Sequence, residues 1–148
     1  MPAPTAFEQL MLELINAERA AAGAPPLAFD FQLIDAADGH SQWMVATDNF
    51  SHSGASGSSP TARIQAAGYS LTGSWTTGEN IALVSLRNPA GLEDEVRLLH
   101  RNLMDSSGHR ANILDKKHGY TEIGIGIAKS TKGELYFTQV FGRPPRDE

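Results

Sequence analysis

The chain contains no cysteine. That absence removes disulfides, thiol nucleophiles and thiolate zinc sites together, so stability has to come from packing. It suits a reducing cytosol, and equally a bacterial exported domain that does without bridges. Long apolar runs are missing as well: no stretch approaches the roughly 18 to 20 residues that span a bilayer. Met1 to Pro26 carries acidic residues inside a helical pattern and lacks the basic start and apolar middle of a secretory leader. Basic clusters are scarce, with no Lys/Arg run longer than Lys116-Lys117 in a chain of net charge -5. Nucleic acid, which demands many phosphate contacts, is therefore not an expected partner.

What is present is ordinary for a folded protein. With 148 residues, 41% hydrophobic and 20% charged, residues 1–148 read as one domain with one core, neither disordered nor fibrous. Phe7, Leu10, Met11, Leu14 and Ile15 recur at helical spacing, and Gly23 and Pro25-Pro26 close this first helix. A second helix runs from Asp30, a suitable N-cap, through Leu33, Ile34, Ala37, Ser41 and Met44 to Asp48-Asn49. Ser51 to Pro60 is a Gly/Ser/Ala-rich surface loop with His52 near its start. Pro60 begins a short helix that is capped by Ser59, contains Ile64 and stops at Gly68; Ser70 to Thr77 is polar and turn-like.

Ile81 to Leu83 reads as a short strand. After a turn at Asn88-Pro89 and Gly91, Leu92 to Met104 forms a third long helix on Leu92, Val96, Leu99 and Leu103. Ile123, Ile125 and Ile127 alternate with glycines, and Leu135, Phe137, Gln139 and Phe141 alternate with Tyr136, Thr138 and Val140, which is a hairpin turning at Ser130 to Gly133. Gly124 and Gly126 strip side chains from one face of its first strand, so something packs closely there. Helices first and strands last, with no βαβ alternation, point to an α+β fold with an antiparallel sheet covered by helices. The tail from Arg143 through Pro144-Pro145 to Glu148 reads as the start of a linker, so the domain is expected to be cut from a longer protein.

The candidate chemistry lies in His52, Glu79 and His109. Imidazole binds divalent transition metals and shuttles protons near neutral pH, and a carboxylate can orient an imidazole or accept a proton. Taken one at a time, each is as readily a surface or hydrogen-bonding residue. His40 reads as a packed or capping residue on the second helix, and His100 and His118 have no carboxylate motif beside them. Ser106 lacks the Gly-x-Ser-x-Gly elbow of a nucleophile and suits a helix-terminal hydrogen bond. Asn112 suits tying down loop backbone, Trp43 the core, and Trp75 a local lid.

Three segments change the weight of these residues: Phe50-Ser51-His52-Ser53, Gly78-Glu79-Asn80-Ile81-Ala82 and Ser106-Ser107-Gly108-His109-Arg110-Ala111-Asn112-Ile113-Leu114. Together and in this order they resemble the signature of the CAP superfamily, the cysteine-rich secretory, antigen 5 and pathogenesis-related proteins or SCP domains. The likeness opens at Leu14-Ile15-Asn16-Ala17-Glu18-Arg19 and closes at Thr138-Gln139-Val140-Phe141-Gly142, and its last motif is similar to the bacterial branch. The resemblance implies an α-β-α sandwich and a cleft lined by His52, Glu79 and His109. It also implies a secreted, extracellular role with a small-molecule, lipid or cell-surface ligand, and His52 and His109 as ligands of a weakly bound divalent metal such as zinc.

One departure matters. Many eukaryotic members carry a second glutamate before the second histidine, three residues after an aromatic; here those positions are Leu103 and Ser106. Two imidazoles without a third strong protein ligand make a weak zinc site. Three functions stay open: a binding module, a metal-assisted hydrolase with Glu79 as base, and a structural polar cluster with no substrate.

Overall fold

Gly124 and Gly126 set the architecture, because the backbone of a helix lies directly against both. A Cβ at Gly124 would fall on the backbone of Leu33 and Ile34, and one at Gly126 on that of Ala37 and Asp38. The close packing expected from these glycines is thus the seat of a helix on the sheet. The computed structural model describes residues 4–71, 75–86, 93–115 and 117–143.

Helix α1 (Ala6–Ala21) opens on a capping box: the Glu8 N–H donates to Thr5 Oγ1 and the Thr5 N–H to Glu8 Oε1. A two-residue strand β1 (Ala28–Phe29) precedes α2 (Phe31–Thr47), whose first turn is capped as expected by Asp30. Helix α3 (Pro60–Ala66) has Pro60 in its first turn and Ser59 accepting from the Ala62 N–H. Strand β2 (Thr76–Ser85) is followed by α4 (Glu93–Asp105), α5 (Ser107–Ile113), β3 (Glu122–Lys129) and β4 (Glu134–Arg143).

The sheet order is β1-β3-β4-β2. The three long strands are antiparallel, as expected, while β1 joins β3 in parallel and makes the sheet mixed. On one face α1 and α4 bury Met11, Ile15, Val96 and Leu99 against Ile123, Ile125, Phe137 and Phe141. On the other, Leu33, Ala36 and Ala37 of α2 pack with Ile64, Tyr69 and Val140. Each fully buried Leu, Ile, Phe or Met contributes about 1.5–3 kcal/mol of transfer free energy, so both layers hold the sheet.

Several sequence expectations need correction. Strand β2 covers ten residues, not three, and takes in Thr76 and Thr77. Its register against β4 pairs Thr77 with Gly142 and Asn80 with Gln139, so tertiary pairing overrides the polar, turn-like composition. Helix α5 and strand β1 are additional, each too short to impose a period on the sequence. The third helix is seen from Glu93; Leu92, the turn at Asn88-Pro89 and Gly91, and the tail beyond Arg143 lie outside the described residues. Among the described residues no helix is long and apolar enough to cross a membrane.

Candidate functional site

Strand β2 is the outer strand on its side of the sheet, and consecutive side chains of a strand point to opposite faces. Glu79 points towards α2 and α3, where the Arg63 Nη2 donates to its Oε2 at 2.7 Å. Asn80 points the other way, donating from Nδ2 to the His109 carbonyl and to Gln139 Oε1, both at 3.1 Å. The Gly78-Glu79-Asn80 motif therefore sends polar side chains to both faces of the sheet at the β2 edge.

His52 reaches this edge from the loop after α2. Its Nδ1 lies 2.9 Å from Glu79 Oε1. Since a carboxylate only accepts, the ring carries its proton on Nδ1 and turns Nε2 outwards. The Glu79 side chain is 1% exposed and that of His52 is 54% exposed, so a buried acid holds a solvent-facing imidazole. Both Glu79 oxygens are engaged, one by His52 and one by Arg63.

His109 comes from α5, where its Nδ1 is 2.8 Å from Ser106 Oγ. Ser106 is the N-cap residue of α5, but its hydroxyl orients the histidine and makes no cap hydrogen bond. The helix-terminal role expected of Ser106 is thus replaced by a role at the ring. Burial pushes the His109 imidazole below its ordinary range, and the nearby charge of His52 pushes it further the same way. The two rings are close enough for one charge to be felt by the other.

Asn112 donates from Nδ2 to Asn80 Oδ1 at 2.9 Å and to the Glu79 carbonyl at 3.4 Å. This amide chain from Gln139 through Asn80 to Asn112 fixes α5, and with it His109, to the strand that carries Glu79. At Gly78 a Cβ would come within 2.6 Å of Tyr120 Oη, whose hydroxyl donates to the Thr77 carbonyl. Asn112 thus ties backbone as expected, and glycine at position 78 makes room for the tyrosine.

Two positioning residues escaped the sequence reading. Arg63 holds Glu79 and also donates from Nη1 to the Ser58 carbonyl at 2.8 Å. His40 is packed, as expected, at 1% exposure, and its Nε2 lies 2.7 Å from the Ser51 carbonyl. Burial favours the neutral ring, so Nε2–H donates and pins the loop that bears His52. Nothing marks Arg63 in a run of small and polar residues, whereas a buried-face histidine opposite a returning loop was a usable signal.

The remaining candidates lie elsewhere. His100 pairs with Glu18, far off in the sequence, at 3.2 Å, and His118 pairs with Asp115, three residues before it, at 2.8 Å, so both have carboxylate partners, contrary to expectation. Trp43 is partly buried and stacks on His40 at 5.6 Å. Trp75 is 40% exposed, and so is Phe50, at 49%, beside His52 in sequence.

Comparison with known proteins places these features in a lineage. The family model described as CAP, cysteine-rich secretory protein family, matches residues 12–141. Protein YkwD of Bacillus subtilis is 34% identical over 139 residues, which is 94% of this chain and 48% of YkwD; the chain thus spans about half the length of that relative. An extracellular protein containing an SCP domain from Bacillus anthracis superposes with a TM-score of 0.72 at 28% identity, over 97% of this chain and 45% of that one. An outer surface protein of Borrelia burgdorferi has a TM-score of 0.78 at 18% identity, covering 97% of this chain and 96% of its own, and shares the fold.

Proposed function

We propose that this chain, which belongs to the CAP family of cysteine-rich secretory proteins, is a binding module whose cleft presents the Nε2 atoms of His52 and His109 to a ligand. The observation that carries this reading is the complete engagement of Glu79 by His52 and Arg63. A carboxylate buried to 1% exposure and held on both oxygens orients an imidazole; a general base has to reach its proton directly or through one water. That disfavours a hydrolase using Glu79. A purely structural cluster is disfavoured by the exposed His52 ring, which buries little and whose Nε2 has no hydrogen-bond partner among the described residues.

A divalent transition metal fits this donor set weakly. His52 and His109 would hold it through Nε2, with Glu79 and Ser106 orienting the rings from behind. Glu79 is not available as a further ligand, and among the described residues no group of three or more His, Cys, Asp or Glu could hold a metal ion. Such an ion would supply open coordination positions for a ligand's oxygen or nitrogen. The chain's own contribution is to fix both rings, and burial holds the His109 imidazole below its ordinary range.

Calorimetric titration with zinc, calcium and magnesium tests the reading. Weak zinc binding is expected, lost in His52→Ala and His109→Ala with the fold retained, and none of the two oxygen-preferring ions. Zinc binding undiminished in both variants would overturn the metal assignment, and a large loss of melting temperature in both would favour the structural cluster. The parent protein is proposed to act outside the cell, a reading supported by the extracellular SCP-domain relative from Bacillus anthracis. Fractionation of cells producing the full-length gene product checks it: recovery only in the cytosol would refute export.

A further inference from the structure

Helix α5 has two differently used faces. Asn112 and Ile113 turn towards the sheet edge and the core, with His109 on the same side by helical spacing. Ser107, Arg110, Ala111 and Leu114, at spacings of three and four, line a recess of about 540 Å³ on the opposite side. Lys117 and His118, from the segment after the helix, complete it. Lys117 belongs to the longest basic run of the sequence, a pair that the His52 and His109 site leaves unused.

His118 repeats the construction found at His52. Its Nδ1 lies 2.8 Å from Asp115 Oδ1, and the Asp115 side chain is 3% exposed against 49% for His118. The carboxylate only accepts, so Nδ1 carries the proton, and Nε2 is left without a hydrogen-bond partner among the described residues. The ring also stacks on Tyr120 at 5.5 Å and 17°, so both its position and its plane are fixed.

Asp115 does not make the recess acidic. Its Oδ1 also accepts from the His118 N–H at 2.9 Å, and its Oδ2 accepts from the Tyr120 N–H at 3.2 Å. Burial works against its charge, but these donors outweigh burial and hold the carboxyl below its ordinary range. The buried Arg19 guanidinium lies close enough for the two charges to offset each other. Lys117, and Arg110, whose Nη1 donates to the Met104 carbonyl, have no carboxylate partner among the described residues. They give the recess a positive field in a chain of net charge -5.

A fitting ligand accepts from Lys117 and either donates to the neutral His118 Nε2 or accepts from it once the ring is protonated. A phosphomonoester can do both, because its oxygens are strong acceptors and its second proton leaves only at about pH 6. A carboxylate has no proton to give near neutral pH, and a cation would meet Lys117 and Arg110. Ala111 and Leu114 make an apolar floor, and the volume is that of a small-molecule pocket, more than a bare phosphate fills. We propose that this recess binds a small soluble phosphomonoester, with its phosphate between His118 Nε2 and Lys117 Nζ and its organic body over Ala111 and Leu114 towards Arg110. The site is separate from the His52 and His109 cleft and does not depend on it.

Phenyl phosphate and phenyl sulfate, titrated into the folded chain at about pH 6.5 and followed by the Lys117 and His118 amide shifts, test the proposal. Phenyl phosphate is expected to saturate the shifts with a dissociation constant of about 1 mM. Phenyl sulfate has the same body but a single charge and no proton to give, and is expected to bind at least about fivefold more weakly. His118→Phe keeps a ring against Tyr120 and removes Nε2, and Lys117→Gln removes the ammonium; each should weaken phenyl phosphate by about tenfold. Both positions are exposed, and should His118→Phe fail to fold, Lys117→Gln carries the test. Arg97→Gln removes the same charge beside a different recess and should leave the affinity unchanged. No saturable shift, equal affinity for the two esters, or a loss in Arg97→Gln as large as in Lys117→Gln overturns the proposal. Capture of the chain by phosphatidic acid vesicles without any response to phenyl phosphate would overturn it in favour of a lipid surface.

Discussion

Arg63 and His52 hold opposite oxygens of one buried carboxylate: Nη2 of Arg63 is 2.7 Å from Glu79 Oε2, and Nδ1 of His52 is 2.9 Å from Oε1. Glu79 thereby joins α3 to the loop after α2 through a single side chain of β2. Removing its charge strands a guanidinium whose side chain is 12% exposed. Glu79→Gln is expected to lower stability by about 2–4 kcal/mol, read as a lower urea midpoint at unchanged m-value. Adding Arg63→Met should recover much of that loss, since the stranded charge is then gone; no recovery would place the cost elsewhere.

The histidines give a pH dependence of definite sign. Burial depresses His109, His40 and His100, with the His52 charge adding to the effect at His109. A depressed folded-state value means that the unfolded chain takes up its protons first. Stability is therefore unaffected by these rings at high pH and falls as the pH drops below about 6.5. His109→Gln should reduce the loss of stability between about pH 7.5 and pH 5 relative to the parent chain; an identical loss in both would exclude His109 as a contributor.

Asp38 acts in the opposite sense. Burial, and then the negative charge of Glu8, push its carboxyl up to about 7, and Glu8 is itself raised by burial. With the folded value above the unfolded one, the contribution is full below the ordinary carboxylate range and is lost as the pH rises towards 7. Asp38→Asn keeps a donor for Glu8 without the charge. It should be more stable than the parent above neutral pH, by on the order of 1–3 kcal/mol, and show little or no gain near pH 4. Denaturant titrations at the two pH values measure the difference.

Arg19 is 1% exposed and donates to four carbonyls: Nε to Pro25, Nη1 to Ile113 and Asp115, and Nη2 to Tyr120. Three of those carbonyls belong to the end of α5, the helix that carries His109, and to the segment before β3. Arg19→Met leaves the carbonyls without donors and should cost about 3–5 kcal/mol. A loss under about 1 kcal/mol, the scale of an ordinary surface change, would show that water replaces the guanidinium.

The layers of the fold were legible because they rest on periodicity. The i, i+4 pair Met11 and Ile15 and the alternation from Leu135 to Phe141 are visible before any coordinates. The Gly124 and Gly126 pair even pointed to the close approach of another element. Strand β2 was cut short because Gly78, Glu79 and Asn80 are poor strand formers that pairing with β4 holds extended, and they separate the strand-favouring Thr76 and Thr77 from the apolar run. At the candidate site, the family motifs named His52, Glu79 and His109, yet their spacing says nothing about what holds them. Arg63 bonds to Glu79 across sixteen residues, and His40 bonds to the loop across eleven; such contacts leave no local pattern.

The bare-backbone contact beneath α2 also bears on how this molecule could diversify. With no side chains at Gly124 and Gly126 to trim or enlarge, the spacing between that helix and the sheet is frozen, and any residue larger than glycine at either place would prise the layers apart. Descendants of this chain can therefore alter what they recognise only at the rims, through the 48–59 loop and the outer turn of α3, while the floor on which His40 and Trp43 stand stays the same.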